Sequence, residues 1–430
     1  MLQTFVSKLQ AILANPKLKS KLIFTLAIFA FTRLLAHVPV PAVDLDQIKL
    51  IFASSQFLSF LNIFSGGMLA NFSIVAVGIN PYITASIIMQ LAGFVFPKIK
   101  EMQKDGEAGR AKLTQYMRLM SVPIAATQAM AVIALLDSQG LLLDKSLTTT
   151  LVIVLTLVAG AAMTMWLGEQ ITERGMGNGI SMILLAGIVS QIPAAVGSLF
   201  TFSLSASNDW FSIGAIAASS LAVVAAVVFM NEAIRKVMIQ YAKRVRGGRQ
   251  LGGQQTHLPI KVNVAGVMPI IFAVSLMMMP SFLGRILLLS DNAQLLRMGE
   301  WINIYFAPTS WFYIVTYFAI VFVFSFFSAM VFFNAKDLAD ELKKSGAFIL
   351  GVRPGGATRK FLEFVVMRIT FAGAIFLATI AVMPSIAQMV TGIQSLAIGG
   401  TSVLIVVSVI LETSKQINSQ LLSENYEKYS

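Results

Sequence analysis

The stretch AVGINPYITASIIM (residues 76–89) places a glycine three residues before a proline and then runs on as an apolar segment. Proline costs little in the first turn of a helix, where its missing N–H has no partner to lose. The reading is a membrane helix with Pro81 in its first turn. A second stretch, VAGVMPIIFAVSLMM (264–278), repeats the arrangement with Gly266 and Pro269. GNGISMILL (177–185) and GGTSVLIVV (399–407) make another similar pair. Working outward, apolar runs fall at about 21–38, 73–95, 117–136, 148–168, 179–199, 211–231, 263–288, 309–333, 367–386 and 397–413, each near the length a bilayer requires. Five spans separate the members of each pair, so the members cross in opposite directions. The expectation is two inverted halves of five helices, residues 1–205 and 206–430, with the transport path at their interface.

Composition agrees. Hydrophobic residues make up 57% of the 430 positions and charged residues only 12%, with mean hydropathy +0.78. A soluble domain carries about twice that charge, and neither disorder nor a collagen repeat fits. The fold class expected is an all-α membrane protein with ten transmembrane helices. Cysteine is absent, and His37 and His257 lie far apart, so disulfides, thiolate chemistry and a histidine metal site are not expected. The string GEAGRAK (106–112) lacks the spacing and hydroxyl of a phosphate loop. No cofactor is expected, and energy for any driven transport is assigned to a partner.

The net charge of +12 is explained largely by placement. With the N-terminus inside, 27 of the 32 basic residues fall in cytoplasmic segments, the rest being Arg33, Lys49, Lys145, Arg285 and Arg297. Retention of positive loops inside sets this orientation, with both termini cytoplasmic. Arg33 interrupts the first apolar run and no small-x-small site precedes Pro39, which argues against a cleaved signal peptide. Two cytosolic loops exceed what topology needs: 232–261, with KRVRGGRQLGGQQTHLPIK, and 334–368, with AKDLADELKKSGAFILGVRPGGATRK. Basic protrusions of this kind dock acidic proteins or nucleic-acid backbones, and face anionic lipids.

Ahead of the second span, FLSFLNIF (57–64) is apolar but too short to cross, and Gly66–Gly67 breaks it from the next helix. It reads as a re-entrant plug, a selectivity element or an interfacial helix. Ile79, Ile83 and Ile87 share one helical face, as do Ile180 and Leu184. Spacing alone suits lipid contact or packing, and also a hydrophobic constriction. Arg33 either faces protein or snorkels to the outer interface. Acidic residues are nearly absent from the spans. A secondary solute transporter, the alternative built on inverted repeats, needs them. A scaffold without a pore would give the isoleucines nothing to do.

Long strings carry a specific resemblance. FSGGMLANFSIVAVGINPYITASIIMQLAG (64–93), KDGEAGRAKLTQYMR (104–118), MWLGEQITERGMGNGIS (165–181), THLPIKVNVAGVMP (256–269), LKKSGAFILGVRPG (342–355) and GGTSVLIVVSVI (399–410) together resemble the SecY family of bacterial protein-translocase channels along nearly the whole chain. The resemblance implies a channel that passes unfolded preproteins and releases transmembrane segments sideways through a lateral gate.

Residue by residue, it implies a pore ring of Ile79, Ile83, Ile180, Leu184, Ile271 and Ile405. A plug helix would span about 60–71, including Phe60, Leu61, Asn62, Ile63, Phe64, Ser65, Gly66, Gly67, Met68 and Leu69. Thr84, Ser86, Gln128 and Ser275 match gate positions, where interhelical hydrogen bonds of about 0.6–2 kcal/mol are expected. Arg353 of GVRPG and the basic Arg244, Arg246 and Arg249 match the surface that docks a ribosome or the motor SecA. The chain departs from the family at Gly248, where a second adjacent arginine is common, and Arg246 is the residue placed to compensate. SecE, SecG, signal sequences and nascent polypeptides are the other implied partners. The implied location is a bacterial cytoplasmic membrane, and a thylakoid membrane fits equally.

Overall fold

The computed structural model describes residues 15–427 apart from 42, 46, 49–61, 63–64, 139, 143, 145, 206–209, 242–243, 247–248, 252–254, 265, 289–291, 308 and 392–399. Helices dominate. In chain order they are α1 (Pro16–Leu35), α2 (Asn80–Val95), α3 (Pro97–Lys104), α4 (Gly106–Ser138), α5 (Leu147–Arg174), α6 (Gly179–Ser205), α7 (Trp210–Glu232), α8 (Met268–Leu287), α9 (Ala293–Tyr305), α10 (Trp311–Phe332), α11 (Ala335–Lys344), α12 (Gly356–Thr391) and α13 (Gly400–Glu427). Local chemistry starts several of them. Asn15, Ser146, Ser310 and Asn334 cap α1, α5, α10 and α11 with side-chain oxygens that accept backbone N–H groups of the first turn.

Among the described residues, α4, α5, α10 and α12 are long and apolar enough to cross a membrane. The pair α2–α3 adds a fifth if it counts as one span, although its axis turns by 113° where Phe96 is extended and Pro97 restarts the helix. Shorter apolar helical stretches run over Gly179–Pro193, Leu221–Glu232 and Met268–Ser281.

The helices pack around one apolar core drawn chiefly from α2, α4, α5, α6, α8, α10, α12 and α13, with Ile28 of α1 and Val227 of α7. Along one edge of this bundle α8 lies against α2 and α4; along another, α13 lies against α6.

The all-α expectation needs correction. Among the described residues five strands are present: β1 (Ile234–Tyr241), β2 (Arg244–Arg246), β3 (Arg249–Leu251), β4 (Gln255–Lys261) and β5 (Ala347–Ile349). β1 pairs antiparallel with β4 on one side and with β5 on the other. The two basic loops are therefore one unit, with its own core of Val237, Ile239, Ile260, Ala335, Leu342, Ala347, Ile349, Leu362 and Val366. The cause is a period-two pattern. Val237 and Ile239 are buried while Lys236 and Met238 are exposed, the alternation of a half-buried strand. α11 covers the sheet with Ala335, Ala339 and Leu342 and leaves its charges outside.

Candidate functional site

The two Gly-x-x-Pro motifs fold alike. Gly78 has φ 61° and Gly266 has φ 64°, the left-handed region open to glycine. After each comes the same start. The Ile79 carbonyl accepts the N–H groups of Tyr82 and Ile83, and the Val267 carbonyl accepts those of Ile270 and Ile271. Pro81 and Pro269 are each the second residue of their helix. Ile83 and Ile271 thus occupy equivalent positions on α2 and α8, which touch each other.

These two isoleucines belong to the central core together with Ile79, Leu184 and Ile405, and half-buried Ile180 packs against it. All six side chains expected to form a ring therefore share one apolar cluster, although five come from four helices and Ile79 from the residue that caps α2. They offer no donor or acceptor, so the cluster is held by packing alone.

Of the residues expected in a plug, Phe60, Leu61, Ile63 and Phe64 lie outside the described residues. Asn62 is helical, and from Ser65 onward the chain runs in consecutive turns. Asn62 organises them: its carbonyl accepts from Gly67 N at 2.8 Å and Ser65 Oγ at 2.9 Å, and its Oδ1 accepts from Ala70 N at 2.9 Å. Met68, Leu69 and Phe72 are buried, and Leu69 and Phe72 join the central core. Arg33 faces protein. Its Nη1 donates to the Gly66 carbonyl at 2.9 Å and to Ser190 Oγ at 2.6 Å.

The four polar residues assigned to a gate sit near the α2–α4–α8 edge, but not as bridging hydrogen bonds. Thr84 Oγ1 donates to the Asn80 carbonyl and Ser86 Oγ accepts from Gln90, both within α2. Gln128 is half-buried on α4 and Ser275 is buried on α8. What crosses this edge is aromatic. Phe94 of α2 lies 4.7 Å from Phe327 of α10, Phe327 lies 6.0 Å from Phe324, and Phe324 lies 6.0 Å from Phe272 of α8. The cue in the sequence was FSFF (324–327) on an otherwise uniform apolar helix.

A second group escaped the sequence reading. Asn263 Nδ2 donates to Asn231 Oδ1 at 2.9 Å and to the Gly266 carbonyl at 3.0 Å, and Asn231 Nδ2 donates to Ser408 Oγ at 2.7 Å. Lys415 pairs with Glu232 at 2.8 Å. Asn231, Asn263, Gly266, Ser408 and Lys415 line a cavity of about 230 Å³ where α7, α8 and α13 come together, with Asn178, just ahead of α6, and Ser181 of α6 on its wall.

Arg353 is exposed in the turn between β5 and α12, and its carbonyl accepts from Thr358 Oγ1 at 2.9 Å. Arg244 pairs with Leu251, and Arg246 with Arg249, on the β2–β3 ribbon. Gly247 and Gly248, between the two strands, lie outside the described residues.

A family model described as SecY matches residues 73–414. The chain belongs to the SecY family. The protein translocase subunit SecY of Mycobacterium bovis is 40% identical over 450 residues, with both chains covered in full. A solved SecY channel, described for a plug domain that stabilises its closed state and maintains a membrane seal, superposes with TM-score 0.65 at 19% identity, covering 95% of this chain and 92% of that one. Sec61 from a canine ribosome–channel complex of the endoplasmic reticulum gives 0.59 at 18%, with the same coverage. The two structures establish the fold, and the translocase relatives establish the function. The chain is a membrane protein that conducts polypeptides, a translocation channel and not an enzyme.

Proposed function

We propose that polypeptides pass through the cluster of Ile79, Ile83, Ile180, Leu184, Ile271 and Ile405, and that this cluster is the seal at rest. The observation that carries the reading is the placement of all six residues in one apolar core, with Ile83 and Ile271 at equivalent turns of two similar helix starts. An ion entering such a constriction gives up hydration and receives no polar group in return. Opening separates packed isoleucines, each contributing about 1.5–3 kcal/mol when buried. A passing chain restores much of that contact with its own side chains.

In this reading the chain crosses the bacterial cytoplasmic membrane ten times, in two inverted halves divided near residue 205, with both termini inside. Residues 60–71 are the plug. Transmembrane segments leave between α2 and α8, with Thr84, Ser86, Gln128 and Ser275 near the opening. The joined basic loops are the docking surface for SecA or the ribosome, through Arg353 and the β2–β3 ribbon. The motor supplies ATP hydrolysis, SecE and SecG complete the complex, and anionic lipids face the cytoplasmic basic residues. Among the described residues, the buried polar side chains are Ser, Thr and Asn. That set lacks the carboxylates a coupled solute carrier needs.

The test is translocation of a signal-bearing preprotein into liposomes holding this chain with SecE, SecA and ATP. Protected preprotein that depends on ATP and is lost in Arg353→Glu supports both the channel and the docking surface. Transport that survives the substitution removes motor docking from Arg353. No protected preprotein from a verified assembly overturns the reading.

A further inference from the structure

We propose that Arg33 is the positioning residue that latches residues 65–71 against the constriction, while the pairing of 38–40 with 72–74 is the fixed end about which this segment swings. The proposal rests on reading that segment as the plug.

The latch end is built from three elements. Arg33, in the last turn of α1, reaches the Gly66 carbonyl and the Ser190 hydroxyl of α6, and Ser190 in turn donates to the Gly187 carbonyl at 2.7 Å. Gly66 has φ 67°, and a Cβ there would stand 2.5 Å from the Gly187 Cα and 3.0 Å from Arg33 Nη2. Only a glycine lets this carbonyl come under the guanidinium. Beside it Gly67 packs on Gln191 of the same helix.

The guanidinium is poorly served for a group inside a membrane helix. Its Nε and Nη2 are buried without a hydrogen-bond partner, and among the described residues no carboxylate pairs with it. A buried charge with unmet donors is costly, and an apolar residue of similar size is often the more stable choice. Stability of the folded chain therefore does not account for arginine at this position. A latch does. In the closed arrangement Arg33 makes two hydrogen bonds and leaves donors unmet; once residues 65–71 move away, water reaches the whole guanidinium. Hydration then offsets only part of the two lost bonds, so the contact still favours the closed arrangement, by about tenfold, and releases the segment at small cost.

The other end differs. Val40 N donates to the Phe72 carbonyl at 2.9 Å and Ile74 N to the Val38 carbonyl at 3.0 Å, an antiparallel bridge around Pro39 and Ser73. Phe72 and Ser73 are fully buried, and Phe72 takes φ 38°, a value rare for a side chain of its bulk. Backbone pairing and burial hold this end whatever Arg33 does.

The experiment uses the full chain assembled with SecE in a planar bilayer, and reads ion conductance at rest beside the thermal midpoint of the same preparations. Deletion of residues 60–69 serves as the reference for an absent plug. Arg33→Leu should raise resting conductance about tenfold, the shift expected when hydrogen bonds to a charged donor are lost from a two-state element. Its thermal midpoint should hold or rise. Gly66→Ala should leak similarly by displacing the carbonyl, while Arg33→Lys should rescue most of the seal. Conductance at the wild-type level in Arg33→Leu, with the deletion leaking, overturns the latch and leaves the plug reading intact. A deletion that does not leak overturns the plug reading itself. A leak in Arg33→Leu accompanied by a lowered midpoint and no rescue by lysine makes Arg33 a structural residue and overturns the latch.

Discussion

The edge where α8 meets α2 and α4 and the edge where α13 meets α6 are held by different chemistry. At the first, rings of Phe94, Phe327, Phe324 and Phe272 pass contact from α2 through α10 to α8, and the hydroxyls of Thr84 and Ser86 bond within their own helix. Aromatic contacts are worth about 0.5–1.5 kcal/mol beyond burial and tolerate sliding. Near the second edge the bonds are directional. Asn231, Asn263, Ser408 and the Lys415–Glu232 pair tie α13 to α7 and to the start of α8, and Thr413 Oγ1 of α13 lies 3.6 Å from Met182 Sδ of α6. Satisfied polar networks fix geometry where apolar faces permit alternatives. Under the proposed sideways release, this difference suits the first edge to separate and the second to hinge.

The contrast between the edges breaks most sharply under cross-linking, which the cysteine-free background permits. A Phe94→Cys/Phe327→Cys pair closed by a short cross-linker should abolish sideways release of transmembrane segments, on the order of a hundredfold, because it pins the sliding edge. A Thr413→Cys/Met182→Cys pair closed the same way should leave release within about twofold, the behaviour of a hinge. Equal effects at both edges would remove the distinction.

The next effect falls on stability. Asn263→Ala leaves the Asn231 Oδ1 and Gly266 carbonyl acceptors without this donor, and should cost about 1–3 kcal/mol in thermal or denaturant unfolding. Thr84→Val sharpens the contrast in the other direction. Its hydroxyl answers only to its own helix, so stability should change by less than about 0.5 kcal/mol and translocation should remain near the wild-type rate.

The smallest effect lies outside both edges, at the cap of α5. Hydroxyls of Thr149 and Ser146 hold the exposed Asp144 carboxylate below its ordinary pKa. Its stabilisation is present in full above the usual carboxylate range, and is lost as pH falls through that range to the lowered value. Asp144→Asn should flatten this slight acid dependence of unfolding and leave neutral behaviour unchanged.

How far the sequence led depends on whether a feature is local. Helix starts at Pro81 and Pro269 were legible because a left-handed glycine and an early proline act within one turn. The residues proposed for the ring were not: the isoleucine spacing suits lipid contact as well, and only the family resemblance selected Ile271 and Ile405. The sheet stayed hidden because Arg235 and Lys236 made IRKVMIQY read as a charged loop, and because β5 pairs with β1 from more than a hundred residues away. Arg33 showed the same limit. Its partners are 33 and 157 positions distant, so the sequence left protein contact and snorkelling equally open.

A seal made of six apolar side chains is tested most directly by resting ion conductance. The full channel assembled with SecE would be compared in a planar bilayer with Ile83→Asn/Ile271→Asn, assembly of both being verified beforehand. The wild type should stay closed and the double variant should leak steadily, because two amides at equivalent turns offer ions and water the polar contacts the isoleucines withhold. A double variant as tight as the wild type would place the seal elsewhere in the molecule.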